Sequence, residues 1–304
     1  MSFFSKMIDL QLVLFFMMCV GIVLNKTGVI TFYGRKSISD LLIGIMLPAS
    51  VLGAFLGTSE FTPELRNNCI IIFVVSAVTE ILGIMFGGRI FKRFGKERQD
   101  IMHYGMIVSN TAYIGLPVAG ALFGDTGILY TSVYYIPGEI AMWTYALSLF
   151  KKDNSENVFK MVFSAPAADA VFLGLIIMLL RIPIPEFIKS GVISIGSCTT
   201  PVSMMVIGAI LADGDYKKIF SVPGMMFSVI RLIIFPILIF IPMKLLALDT
   251  VVIGIGVIMA AMPAAAATSI LADKYDSDYE FATDVVILST LMSIVTIPLI
   301  TLLL

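Results

Sequence analysis

The chain holds 304 residues, of which 59% are hydrophobic and 13% charged, with a net charge of −1 and a mean hydropathy of +1.00. Soluble domains run near 45–50% apolar and about 25% charged, so these few ionic groups cannot cover a water-facing surface. The balance also excludes a basic nucleic-acid-binding domain, and Cys19, Cys69 and Cys198 stand singly in apolar runs, with no CxxC or His/Cys cluster to suggest a disulfide framework or a metal.

A bilayer span takes about 20 apolar residues. The first such run, residues 8–25, follows Lys6 in the manner of a signal peptide, but no small-x-small cleavage site precedes Asn25-Lys26 and its length suits a retained helix. Further runs lie at about 38–57, 67–88, 101–122, 127–150, 161–181, 190–212, 220–246, 250–272 and 280–303. They predict an all-α integral membrane protein of ten spans. The segments between them, such as "RIFKRFGKERQD" and "DKYDSDYE", are charged and too short to form a second domain. Fourteen Lys and Arg fall in the loops after spans 1, 3, 5, 7 and 9, against five on the other side. The positive-inside rule then puts both termini outside a cell (inner or plasma) membrane.

Ten spans divide into a first five-helix unit over 1–150 and a second over 161–304, joined by a connector at 151–160 that holds "KKDNSENVFK". Five is odd, so the second unit runs inverted to the first. Span 2 ("LPASVLGAFL", 47–56) and span 7 ("TPVSMMVIGAIL", 200–211) both carry a Pro, a Ser two residues on, and then small residues. Span 4 ("GLPVAGALFGDTG", 115–127) and span 9 ("AMPAAAATSILADKYD", 261–276) both carry a mid-span proline, small residues and an acidic exit. Matched Gly/Pro-interrupted spans in inverted halves point to a secondary transporter's binding site. Proline frees carbonyls that hydrocarbon cannot satisfy, so breaks at Pro117 and Pro263 imply a midplane cavity inside protein. Each break starts a half-helix whose amide end carries about half a positive charge, and two such ends suit an anion. Asn110, Thr111 and Gly115 stand beside the first break, and Thr268 and Ser269 are the polar groups of the second arm.

"NTAYIGLPVAGALFGDTG" resembles the span-4 pattern of the auxin efflux carrier family, Asn-Thr-x-x-x-Gly-[Leu/Ile]-Pro. The last two spans (260–304), with an Ala-x-Pro break and an "ADKYD"-like turn, are similar to that family's C-terminal region. The resemblance implies a scaffold of spans 1, 2, 6 and 7 that forms a homodimer. It also implies a moving unit of spans 3–5 and 8–10, with spans 4 and 9 crossing at the prolines, as in the antiporter-like and bile-acid-symporter-like architecture. Elevator-type transport of organic anions would follow: auxin in plants, small carboxylates such as malonate in bacteria. By motif, Asn110 and Thr111 would contact substrate, and Pro117 and Pro263 would mark the crossing. The short loop between spans 5 and 6 favours the bacterial members, and Ala264–Ala267 stand where plant carriers place an amide, which weakens an auxin assignment.

Charge at membrane depth is costly and therefore a functional candidate. Glu80 lies in span 3, Glu139 in span 5, Asp169 in span 6 and Arg231 in span 8. Glu139, after Pro137-Gly138, is a candidate substrate or proton site, and Glu80 is a second proton candidate. Arg231 would either neutralise a carboxylate substrate or pair with Glu80 or Glu139. His103, the single histidine, is an interfacial residue or a proton relay. No nucleophile–base pair, HExxH motif or phosphate loop argues for an enzyme, and no cofactor is expected. The alternative to an organic-anion carrier is a sodium- or proton-coupled symporter or antiporter. That reading needs clustered carboxylates or extra amides at the crossing, and none flank either break.

Overall fold

The computed structural model describes residues 3–57, 62–150, 166–212 and 219–304. Helices make up this part of the chain, and no strand is present among the described residues. Helix α1 is Phe3–Lys26, and Thr31 opens α2 (Phe32–Leu41) by accepting the Gly34 N–H. A π turn, Leu42–Met46, leads into α3 (Leu47–Gly57). Thr62 caps α4 (Pro63–Ile90) by accepting the Leu65 N–H, with Pro63 in the first turn, where its missing N–H is not needed. Helix α5 is Lys96–Ile107; after a break, a π turn at Thr111–Gly115 runs into α6 (Leu116–Thr144). Then come α7 (Pro166–Leu180), α8 (Glu186–Ser197), α9 (Thr199–Leu211) and α10 (Val222–Val229). A π turn at Ile230–Ile234 joins α10 to α11 (Phe235–Leu245). The chain closes with α12 (Thr250–Ala260), α13 (Ala267–Lys274) and α14 (Tyr279–Ile300).

The three π turns share a cause. Each is followed at its second residue by a proline: Pro48, Pro117 or Pro236. A proline ring clashes with the carbonyl four residues back and offers that carbonyl no donor. Widening the preceding turn moves the carbonyl aside without ending the helix.

Among the described residues, seven helical stretches are long and apolar enough to cross a bilayer: Lys6–Lys26, Tyr33–Gly57, Pro63–Ile90, Thr111–Leu149, Glu186–Leu211, Val222–Leu245 and Tyr279–Leu303. The shorter apolar helices α7 and α12 accompany them. This is the fold of a multi-pass integral membrane protein. The long stretch Thr111–Leu149 doubles back at Gly124, whose φ is +62°. Beyond that turn, a Cβ on Gly127 would stand 2.3 Å from the Ala119 carbonyl oxygen. The connector at 151–160 and the "DGDYKK" loop at 213–218 lie outside the described residues.

In hydrocarbon, helices associate by close packing rather than by a hydrophobic driving force, so small residues decide who meets whom. Gly21 of α1 faces the Met205 backbone and Gly208 of α9 faces the Met18 backbone, which brings these two helices into direct main-chain contact. Gly174 of α7 receives Phe55 of α3, and Gly196 of α8 receives the backbone at Ser50. Thus α1, α3 and α7–α9 pack as one group. Helices α4–α6 and α10–α14 pack as another, and the two groups meet along α3–α6 and α1–α14.

A Cβ at Gly208 would lie 2.0 Å from a backbone oxygen, whereas one at Gly191 meets nothing within 4 Å. Gly208→Val is therefore expected to destabilise the folded protein by about 1–3 kcal/mol, while Gly191→Ala is neutral within about 0.5 kcal/mol. Thermal unfolding of detergent-purified variants measures both.

Candidate functional site

The interruption in the fourth sequence run falls at Val108–Asn110, not at Pro117. Val108 is extended (φ −99°, ψ 102°) and Asn110 sits at φ −78°, ψ 49°. Pro117 is buried in the first turn of α6, seven residues beyond Asn110, where the π turn absorbs its effect. Ser and Asn compete with helical hydrogen bonds and favour helix starts, so they mark the break better than the proline does. Pro263 does lie within the second interruption, Ala261–Ala266 between α12 and α13.

The two interruptions lie against each other and satisfy each other's main chains. Ser109 and Ala264 form an isolated antiparallel bridge. The Asn110 N–H donates to the Pro263 carbonyl at 2.8 Å, and the Ala265 N–H donates to the Val108 carbonyl at 3.3 Å. Between them the Ala264 N–H donates to Ser289 Oγ of α14 at 3.3 Å, and that hydroxyl donates to Val285 O at 2.7 Å. Ser289 is part of the site and was not among the sequence candidates. A serine on an apolar helix carries no signal until its partner is known.

Most of the predicted residues gather here. Asn110 and Thr111 are buried, with Thr111 Oγ1 3.0 Å from Ser109 Oγ. Gly115 allows a close approach to α12, since a Cβ there would meet Met259 Sδ at 2.8 Å. Ser269 Oγ donates to Ala266 O, and Thr268 Oγ1, fully buried, has no partner. The partly open surface at the crossing comes from Val108, Ser109, Ala112, Tyr113, Ala265 and Ala267. Tyr113, whose hydroxyl lies beside Ser39 of α2, is a second residue that sequence reasoning missed. Neither following half-helix has a side-chain cap or an acidic residue in its first turn, so their amide ends are not offset locally.

Arg231 is also at the crossing, but in a role the sequence did not suggest. Its guanidinium donates to Met262 O from Nε and to Met106 O from Nη1, each at 3.0 Å, and lies over the Phe235 ring. It is 2% exposed. The expected ion pair with Glu80 or Glu139 does not form: the side-chain bonds of Arg231 go instead to two backbone carbonyls. Glu139 is buried and accepts from Trp143 Nε1 at 2.9 Å, with the Tyr135 hydroxyl beside it and Tyr104 within its electrostatic reach. His103 wedges against Gly87 and Gly88 of α4, with Nε2 3.0 Å from Ile84 O. Glu80 is buried on α4 with Oε2 unpartnered, close to Gly138, and Arg231 and Tyr134 are within its electrostatic reach. An apolar groove of about 500 Å³ lined by Phe220, Val222, Met225 and Met226 lies along α10 and presents no polar group for an anion.

Interrupted helices whose ends are satisfied by one another inside a polytopic fold are the arrangement in which membrane transport proteins build substrate sites. The profile of the membrane transport protein family matches residues 7–165 and 155–301. The chain belongs to that family, the auxin efflux carrier family. It is 24% identical over 301 residues, 96% of each chain, to an uncharacterized transporter of Methanocaldococcus jannaschii. It is also 22% identical over 290 residues, 92% of each chain, to an uncharacterized transporter of Methanothermobacter thermautotrophicus.

Directly paired residues of an antiparallel bridge have Cα atoms about 4.5–5.5 Å apart, within disulfide range. With Cys19, Cys69 and Cys198 replaced by Ala, the pair Ser109→Cys and Ala264→Cys is expected to cross-link under mild oxidant, as read by mass spectrometry. A pair that stays reduced means the two breaks do not meet.

Proposed function

We propose that the chain is a secondary transporter of small organic anions, malonate or other carboxylates, which bind where the two interrupted helices cross. The observation that carries this reading is the main-chain bridge at Ser109 and Ala264, flanked by two half-helix amide ends with no side-chain cap. Such ends attract a carboxylate, and Ser109, Asn110, Thr111 and Ser269 supply neutral polar groups around them. Gly115, Pro117 and Pro263 shape the crossing. Thr268, with its unpartnered hydroxyl, becomes available when the arms separate.

In this reading the ten spans form two inverted five-helix repeats, 1–150 and 161–304. Both termini face outward across the cell membrane, and 151–160 is the cytoplasmic link. The packing groups support a division into a dimerising scaffold (α1–α3 and α7–α9) and a transport unit (α4–α6 and α10–α14) that moves as an elevator. Of the three proton-coupling candidates, Glu80 has the supporting geometry. Glu139 already accepts from Trp143, and the His103 ring is packed into glycines. Glu80 instead keeps one buried oxygen without a partner, at the contact of α4 with α6.

The decisive measurement is uptake of labelled malonate, malate, lactate, pyruvate and indole-3-acetate into proteoliposomes, under imposed pH or sodium gradients. At least one carboxylate is expected to move, and Asn110→Ala is expected to reduce that uptake roughly tenfold, the scale of one or two lost polar contacts. If no carboxylate moves in any arm, the organic-anion reading fails, and dependence on sodium selects the symporter alternative. Glu80→Gln should abolish stimulation by a pH gradient while leaving substrate exchange at equal pH, and Glu139→Gln should preserve both. A Glu80→Gln variant that still responds fully to the gradient removes Glu80 as the proton site.

A further inference from the structure

We propose that Arg231 is a positioning residue: it clasps the carbonyl ends of both interrupted helices and so holds their amide ends open to substrate. The last carbonyls of a helix have no partner within it. At the crossing they are shared between two recipients. Val108 O and Pro263 O accept from the opposite arm's backbone, while Met106 O and Met262 O accept from Arg231. A single side chain therefore ties α5 to α12 at the level of the bridge.

The electrostatics agree with this geometry. Each helix carboxyl end carries roughly half a negative charge, and the two together are about the size of one guanidinium charge. A cation 2% exposed at membrane depth is tolerable because these two dipole ends are hydrogen-bonded to it as counter-charge, with Glu80 also in electrostatic reach. Its planar fork suits two acceptors on two separate helix ends, which a lysine ammonium on a flexible stem does not match. With the negative ends offset by Arg231, the amide ends at Thr111 and Ala267, which have no side-chain cap, are the dipole ends left to attract an anion. Anion preference would then depend on a charge the substrate never touches. This last consequence rests on the organic-anion reading, whereas the clasp itself does not.

The test combines the Ser109→Cys/Ala264→Cys cross-link with transport kinetics in Arg231→Met and Arg231→Lys. The clasp predicts that Arg231→Met lowers the cross-linking rate roughly tenfold or more, the scale of a lost charge-assisted hydrogen bond. Arg231→Lys, which keeps the charge and one donor, restores part of it. It further predicts that KM for mono- and dicarboxylates rises by a common factor while kcat changes less. Cross-linking at the wild-type rate in Arg231→Met, with KM raised selectively for dicarboxylates, overturns the proposal and makes Arg231 a substrate ligand. Should the Met variant not be recovered folded, Arg231→Lys decides alone: an intermediate rate supports the clasp, and a wild-type rate refutes it. Absence of carboxylate transport in the unmodified protein would sink the anion reading yet leave the cross-linking result standing.

Discussion

Backbone amides and carbonyls have no water partner in hydrocarbon, and the two interrupted helices meet that constraint with one another's main chains. An isolated break would strand several polar groups, each a penalty of some kcal/mol. Two breaks placed side by side convert that liability into a short antiparallel bridge between Val108–Asn110 and Pro263–Ala265. The groups left over are then covered by a few side chains, Ser289 on an amide and Arg231 on two carbonyls. Small or polar residues bring other helices up to the segments that form this bridge, Gly83 of α4 beside Met106 and Ser289 of α14 against the Ala264 N–H. Gly83 lets α4 approach the Met106 backbone, and Gly115 lets the second half-helix approach Met259.

The same constraint explains why glycine is concentrated where it is. Gly21 and Gly208 bring α1 and α9 into main-chain contact, and Gly127 lets the chain reverse after Gly124. In a soluble protein such contacts would trade against apolar burial. In a bilayer, where lipid and leucine are equally apolar, close packing is most of what distinguishes the native arrangement. Close glycine contacts thus tie α1 to α9 in one packing group, while the second is built around the bridged interruptions.

Much of this was legible in the sequence. Composition alone required a membrane protein, and among the described residues the apolar runs fall on the seven long helical stretches and on the shorter α7 and α12. The matched interruptions of spans 4 and 9 pointed to the crossing, and "NTAYIGLP" pointed to the family. What misled was the weight placed on proline. Pro117 is the loudest helix breaker in its run, yet a widened turn absorbs it, as happens again at Pro48 and Pro236. The actual break sits at Ser109-Asn110, residues whose side chains compete with the helix by hydrogen bonding. Ser289 and Tyr113 were invisible because their meaning lies in partners remote in sequence, Ala264 and Ser39.

Arg231 shows the limit of reading charge at depth by its sign. A cation inside a membrane invites a search for an anionic side chain, and Glu80 and Glu139 were the candidates within reach by span order. The structure offers a different counter-charge, the carboxyl ends of two half-helices, which sequence cannot display because they arise only when both helices stop in the same place. Glu80 is thereby freed from the ion pair expected of it. Glu80 lies within electrostatic reach of Arg231 without closing an ion pair on it, and it keeps a buried oxygen that has no hydrogen-bond partner, so the crossing is held by main-chain acceptors rather than by a carboxylate.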